Sequence, residues 1–310
     1  MKFVLIIHGK KNKGGNALIF MLKLRGPRSV IARRSLPLYH TSAFLSTGIL
    51  HKILMLISRN LYLTHNNSCC IMNLSNEGRD KEMDRRISYK IVLDTETCPL
   101  DKDCAVVTPW NMFVYDCGWQ ICDKNGHVYR NRSFVNADIF LDEKNLMRSA
   151  YYAKKIPQYW EEIKSGQRIL TSFNKILKTL KEDIKEFEVS EIYAHNARFD
   201  YGSLTNTERW LTKSKYRYFF PHNITICDTL KMCRQTFGKQ KMYKEWCTKN
   251  GYLTKNNQPR FTAEILYRYI SGNSEFTENH TGLEDVDIER QIMVACFRKH
   301  MKMERRLWVD

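Results

Sequence analysis

Asp94-Thr95-Glu96, His195-Asn196-Ala197-Arg198-Phe199-Asp200 and His280 with Asp285 are the residues of this chain best equipped for chemistry. They supply four carboxylates and a histidine. Carboxylates in that number can hold two divalent cations, and a histidine can take a proton from water. That set suits hydrolysis of a phosphodiester. Asp94 and Glu96 are two residues apart, so on a strand they point to the same side. Two carboxylates buried side by side repel each other unless a cation lies between them. Hard oxygen donors select Mg²⁺ or Mn²⁺.

Asp200 falls in the first turns of a helix, where the helix dipole favours its ionised form. Asn196 is a candidate cap for that helix. His195 and Asn196 read as hydrogen-bonding residues that shape the turn rather than as metal ligands, and Phe199 reads as core. Thr281-Gly282-Leu283-Glu284 has the capping-box pattern, with Thr281 as N-cap and Glu284 at the third helical position. Asp285 is then anchored in the first helical turn, with Asp287 as a substitute ligand. His280 lies just outside, on a segment free to move. Its ordinary pKa near neutrality suits a general base.

The elements that must position these groups are legible in the apolar pattern. Residues 89–94 read as a buried strand, 112–122 and 127–135 as strands joined at Asn125-Gly126, a hairpin signal. Residues 143–163 read as helix broken near Pro157, and 167–187 as one amphipathic helix with Ile169, Phe173, Ile176, Leu177, Leu180 and Ile184 on its stripe. A strand over 189–194, a helix over 199–211 and a strand over 224–227 follow. Helices are expected near 228–237, 241–249, 261–271 and 282–301, the last buried along Ile288, Ile292 and Ala295. This order predicts an α/β fold, a mixed sheet flanked by helices.

The chain has 310 residues and a net charge of +17. No acid precedes Glu77, while residues 1–76 carry eleven Lys and Arg, which leaves +6 for residues 77–310. A moderately basic domain is compatible with a polyanionic partner. Residues 1–86 read as a basic, acid-free extension and linker, disordered or loosely attached, with 74–86 as the linker proper. A start at Met72 or Met83 is the favoured expectation, and an organellar transit peptide a less favoured one. The apolar run from Ser46 to Ser58 is broken by His51 and Lys52 and is too short to span a bilayer, so no stable membrane association is expected. Ten cysteines without a CxxC pair suit a reducing, cytoplasmic setting rather than a disulfide framework.

The three motifs, in this order, resemble the DnaQ-like 3′→5′ exonucleases of the DEDD family, which are built on a ribonuclease-H-like fold and include proofreading domains of DNA polymerase III and ribonuclease T. His280 five residues before Asp285 matches the histidine subtype. The resemblance covers about residues 88–302 and includes Ile226-Cys227-Asp228-Thr229-Leu230, which is similar to the family's mid-domain strand-to-helix segment. Cys98-Pro99 departs from the Thr-Gly that many relatives carry after the first motif, and 99–111 reads as a longer loop.

The resemblance implies an exonuclease domain over 87–310. Asp94, Glu96 and Asp285 would hold one metal, and Asp94 with Asp200 a second, about 3.5–4 Å away. His280 would take the proton of the attacking water, and the product would be a nucleoside 5′-monophosphate. The expected substrate is a single-stranded DNA 3′ end, for proofreading or DNA processing, with any polymerase a separate chain. An RNA 3′ exonuclease and a non-catalytic polymerase-docking subunit are the alternatives. Candidate substrate contacts are Thr97, Asn196, Lys239, Lys241, Tyr243, Lys244 and Trp246, with Lys213, Lys215, Tyr216, Arg217 and Tyr218 as a second group, through phosphate contacts and base stacking.

Overall fold

The computed structural model describes residues 4–11, 18–25, 84, 86–100, 106–278 and 280–308. The chain divides into two compact units, Met1–Arg79 and Asp80–Asp310. In the first, β1 (Val4–Lys11) pairs antiparallel with β2 (Leu18–Arg25), where the sequence reading expects no regular structure. The expectations for residues 46–58 and for a start at Met72 or Met83 lie outside the described residues, as does nearly all of the expected linker 74–86.

The second unit is built on six strands. They are β3 (Lys90–Pro99), β4 (Met112–Cys122), β5 (Val128–Asn136), β6 (Ile169–Thr171), β7 (Glu191–Ala194) and β8 (Thr225–Asp228). Their order is β6-β5-β4-β3-β7-β8. The pairs β3–β4 and β4–β5 are antiparallel, and β5–β6, β3–β7 and β7–β8 are parallel. The helices are α1 (Ala137–Phe140), α2 (Ile156–Ser165), α3 (Phe173–Glu186), α4 (Arg198–Thr212), α5 (Thr229–Gln235), α6 (Lys241–Lys249), α7 (Ala263–Ser271) and α8 (Gly282–Phe297). This is the expected mixed α/β sheet flanked by helices, and its strand order is consistent with a ribonuclease-H-like fold.

Alternation along β3 divides the core. Ile91 and Leu93 pack with Trp119, with Phe173, Ile176 and Leu180 of α3, and with Leu204 of α4. Val92 packs on the other face with Met232, Tyr243, Leu266, Val286 and Ile292 of α5 to α8. Asp94 and Glu96 share the parity of Val92 and so lie on the α8 side, while Thr95 lies on the α4 side.

Three expectations are corrected. Residues 167–187 are not one helix: Ile169–Thr171 pairs with β5, and Ser172 caps α3 through its hydroxyl, which accepts from Lys175 N. Pro157 opens α2 rather than breaking it, because its missing N–H costs nothing in a first turn. The last helix ends at Phe297, short of residue 301.

Candidate active site

The last turns of β3 bring the acidic motif to a bulge between Glu96 and Thr97. Thr97, a candidate substrate contact, is buried there. On the α8 side one ligand atom each of Glu96, His280 and Asp285 lie within 4.8 Å of one another. On the α4 side Thr95 Oγ1 donates to Asp200 Oδ1 at 2.7 Å. The two helices thus present Asp285 and Asp200 from opposite faces of one strand end.

Backbone approach sets this geometry. A Cβ on Gly118 of β4 would lie 2.6 Å from Leu283 N and 2.7 Å from Gly282 C. Only glycine lets the first turn of α8 rest on the sheet. Asp116 Oδ2 also accepts from Gly282 N at 3.0 Å. Asp285, three residues on, is held by that seating. The expected capping box takes another form: Thr281 Oγ1 donates to Glu284 Oε2 at 2.8 Å, and the cap is made by backbone bonds from Glu284 N and Asp285 N to Thr281 O.

The carboxylates are crowded out of water. Burial, with the charges of Glu289, Asp200, Asp285 and Glu96 nearby, pushes Asp94 well above the usual carboxylate range. Burial, with Asp116 and Asp285, lifts Glu96 to about 9 against the opposing pull of Lys155. Asp285 is raised to about 8 by burial and Glu278. Burial lifts Asp200 to about 7, while its bond from Thr95 opposes the rise. Asp285 Oδ1 is buried without a hydrogen-bond partner. Buried oxygens in this state call for a cation. Carboxylate oxygens fit a hard divalent ion.

His280 has packing and hydrogen-bond partners on the segment before α8. Its ring stacks on Tyr152, with centroids 4.7 Å apart and planes 16° apart. Lys155 Nζ donates to its carbonyl at 3.3 Å, and its Nδ1 lies 3.9 Å from Glu278 Oε2. Its backbone is left-handed, at φ 49°. Burial first, then Lys155, lowers its pKa, so the ring is neutral near pH 7 and can accept a proton.

His195 is half-buried, bonded to Phe261 O at 2.7 Å through Nε2 and to Thr229 Oγ1 at 2.9 Å through Nδ1. The carbonyl can only accept, so Nε2 carries the proton. Burial lowers its pKa, and its role is to shape the turn, as the sequence suggests. Asn196 does not cap α4. It takes φ 65°, where asparagine is tolerated, and its N–H donates to Asp228 Oδ1 at 3.1 Å. The cap position falls to Ala197. Phe199 is half-buried rather than core. Asp287 is turned away from the cluster, accepting from Arg290 and Gln291.

Among the substrate candidates, Lys239, Lys241 and Lys244 are exposed. Tyr243 is fully buried and donates to Arg260 O, so it has no face for a base. Trp246 is half-buried, stacked on Tyr243 and set edge-on to Tyr269. The α6 helix needs these rings for its packing, and an aromatic at helical spacing carries no mark that tells core from contact.

Sequence reasoning passed over Asp116, Glu289, Lys155, Tyr152 and Glu278. Asp116 is buried on β4 opposite Glu96, accepting from Tyr159 Oη at 2.6 Å and Arg168 Nη1 at 2.8 Å. Glu289 is one turn beyond Asp285, buried, and accepts from His195 N at 3.0 Å. Both had a signal: an acid inside an apolar strand, and an acid at i+4 from a candidate ligand.

No known family profile and no curated protein matches this chain. Among solved structures, it is similar to E. coli ExoI in a zinc-bound complex with single-stranded DNA, at 16% identity and TM-score 0.44, over 69% of this chain and 41% of that one. Exonuclease I from Methylocaldum szegediense gives 13% identity and TM-score 0.44, over 68% and 41%. Exonuclease X bound to 5′-overhanging duplex DNA gives 14% identity and TM-score 0.33, over 67% and 91%. The chain spans about two fifths of the two Exonuclease I chains.

Proposed function

We propose that residues 87–310 form a metal-dependent 3′→5′ exonuclease of the DEDD type with a histidine base, acting on single-stranded DNA ends. The observation that carries this reading is the convergence of Glu96, His280 and Asp285 within 4.8 Å, from a strand, a connecting segment and a helix. The partnerless buried Oδ1 of Asp285 supports a cation there. Asp94, Glu96, Asp200 and Asp285 would hold two Mg²⁺ or Mn²⁺, which would offset the buried charge and stabilise charge developing on the attacking and leaving oxygens.

The remaining work falls to the side chains. Neutral His280, stacked on Tyr152 and with its carbonyl bonded by Lys155, accepts the proton of the attacking water. The water oxygen bonds to the terminal phosphorus, the P–O3′ bond breaks, and the shortened strand leaves with its 3′ oxygen protonated by solvent. The other product is a nucleoside 5′-monophosphate. Asp116, with Tyr159 and Arg168, keeps α8 seated so that Asp285 stays opposite Glu96. A role in proofreading, with a polymerase as a separate chain, or in DNA processing follows from this activity. Among the described residues seven cysteines are buried free thiols, which suits a reducing, cytoplasmic setting. No helix among the described residues is long and apolar enough to cross a membrane.

The test is degradation of 5′-labelled single-stranded DNA and matched RNA by the wild type and Asp200→Ala, with Mg²⁺, Mn²⁺ or EDTA. A metal-dependent ladder shortening from the 3′ end, faster on DNA and absent in the variant, is expected. Faster loss of RNA would assign the RNA reading. No cleavage of either strand would favour the docking subunit.

A further inference from the structure

A second surface lies on α4 and the β3–β4 loop. Arg209 lies over two rings there, its guanidinium 4.7 Å from the Tyr218 ring centroid and 5.8 Å from that of Trp110. Both rings keep an open face: Trp110 is 49% exposed and Tyr218 55%. Tyr216 beside them is 79% exposed. Residues 209–218 hold Arg209, Lys213, Lys215 and Arg217 and no acid. Among the described residues, the acid paired with them is buried Glu208, 3.8 Å from Arg217.

The surface is built, not incidental. Asn111 Oδ1 accepts from Thr108 N at 2.8 Å, and Asn206 Nδ2 donates to Met112 O at 3.0 Å. Gly202 lets Pro109 lie on α4, where a Cβ would come 2.4 Å from Pro109 Cβ. Arg209 Nε donates to Arg217 O at 3.0 Å, tying the segment after α4 to the helix. Trp110 and Tyr218 are therefore presented at fixed positions, so their stacking faces are ordered before anything binds.

We infer that this surface binds single-stranded nucleic acid upstream of the end being hydrolysed. Fixed aromatic faces with interleaved cations match unpaired bases on an anionic backbone, and stacking there is indifferent to sequence. A neutral or basic protein partner would not suit four cations with so little acid between them. The inference rests on the exonuclease reading for the word upstream, while strand binding itself stands apart from hydrolysis.

The test uses the full chain, with labelled oligothymidylate of about 4 and about 16 nucleotides. Binding is read by fluorescence anisotropy in EDTA, and cleavage in Mg²⁺. Trp110→Ala/Tyr218→Ala should weaken binding of the longer strand about tenfold or more, and more than it weakens binding of the shorter. Lys213→Ser/Lys215→Ser should flatten the salt dependence of longer-strand binding, by about 0.7 in log–log slope for each phosphate no longer neutralised. These lysines are exposed, so this variant still decides the matter if the aromatic pair fails to fold. Wild-type binding and salt slope in both variants, with melting curves like the wild type, would overturn the inference, as would a wild type that binds neither strand. Binding that the variants lose, in a chain that cleaves nothing, would retain this surface and reject the exonuclease reading.

Discussion

Glu96 and Asp116 are cross-strand partners on β3 and β4, two buried carboxylates directly opposite each other. Like charges in that position are destabilising. Asp116 is paired on its far side with Arg168 and accepts from Tyr159 Oη. Removing Arg168 would strand a buried charge. Arg168→Leu should cost ~3–5 kcal/mol in denaturant unfolding. Asp116→Asn/Arg168→Leu should recover part of that loss while activity stays roughly 10–100-fold down, because a neutral amide oxygen holds Gly282 N less firmly than the carboxylate. A double variant no more stable than Arg168→Leu alone would reject the pairing.

His280 is positioned by Tyr152 and Lys155, and its pKa is lowered by burial and by Lys155. His280→Ala should lower kcat by roughly 10²–10⁴-fold. The wild-type rate should fall on the acid side with an apparent pKa below that of ordinary histidine, since a base works only unprotonated. That limb should vanish in the variant. An acid limb that persists unchanged in His280→Ala would assign it to another group.

The apolar pattern made the sheet legible because β3, β4 and β7 are buried on both faces, and an apolar run has few other uses. The four carboxylates stood out because their spacing serves no packing purpose. What stayed hidden depends on contacts between distant segments. The pairing of β6 with β5 turned the start of an apparent helix into a strand. The stack of Tyr152 on His280 joins segments far apart in the chain, and nothing near Tyr152 in the sequence marks it. Tyr243 and Trp246 misled for a converse reason: a ring beside lysines on a helix can face either way, and the packing of α6 turned these inward.

The raised carboxylates make stability without metal depend on pH in a definite direction. Glu96 is lifted to about 9 and Asp285 to about 8. Between the ordinary carboxylate range and these values the folded chain binds more protons than the unfolded one, so stability falls as pH rises through that window. In EDTA, Tm should therefore drop from mildly acidic pH up to about 9. Mg²⁺ should raise Tm, with a gain that grows with pH as the ligands ionise. Asp285→Asn should flatten the fall in EDTA and shrink the gain from Mg²⁺. A metal-free Tm that climbs across this window would contradict the assigned shifts.

Thr95 sits between Asp94 and Glu96 but points the other way, to donate to Asp200 Oδ1 at 2.7 Å. That bond opposes the upward push of burial on Asp200, which rests at about 7. Thr95→Val keeps the shape and removes the donor. Asp200 should then hold its proton to higher pH, where a proton competes with a cation for the same oxygens. Activity at neutral pH should drop roughly 10–100-fold and recover as pH is raised, with the midpoint of Mg²⁺ activation shifting in step. Thr95→Ser restores the hydroxyl and should restore the neutral-pH rate. A loss in Thr95→Val that is equal at every pH would mean the threonine serves packing alone, and the link between its hydroxyl and the ionisation of Asp200 would fall.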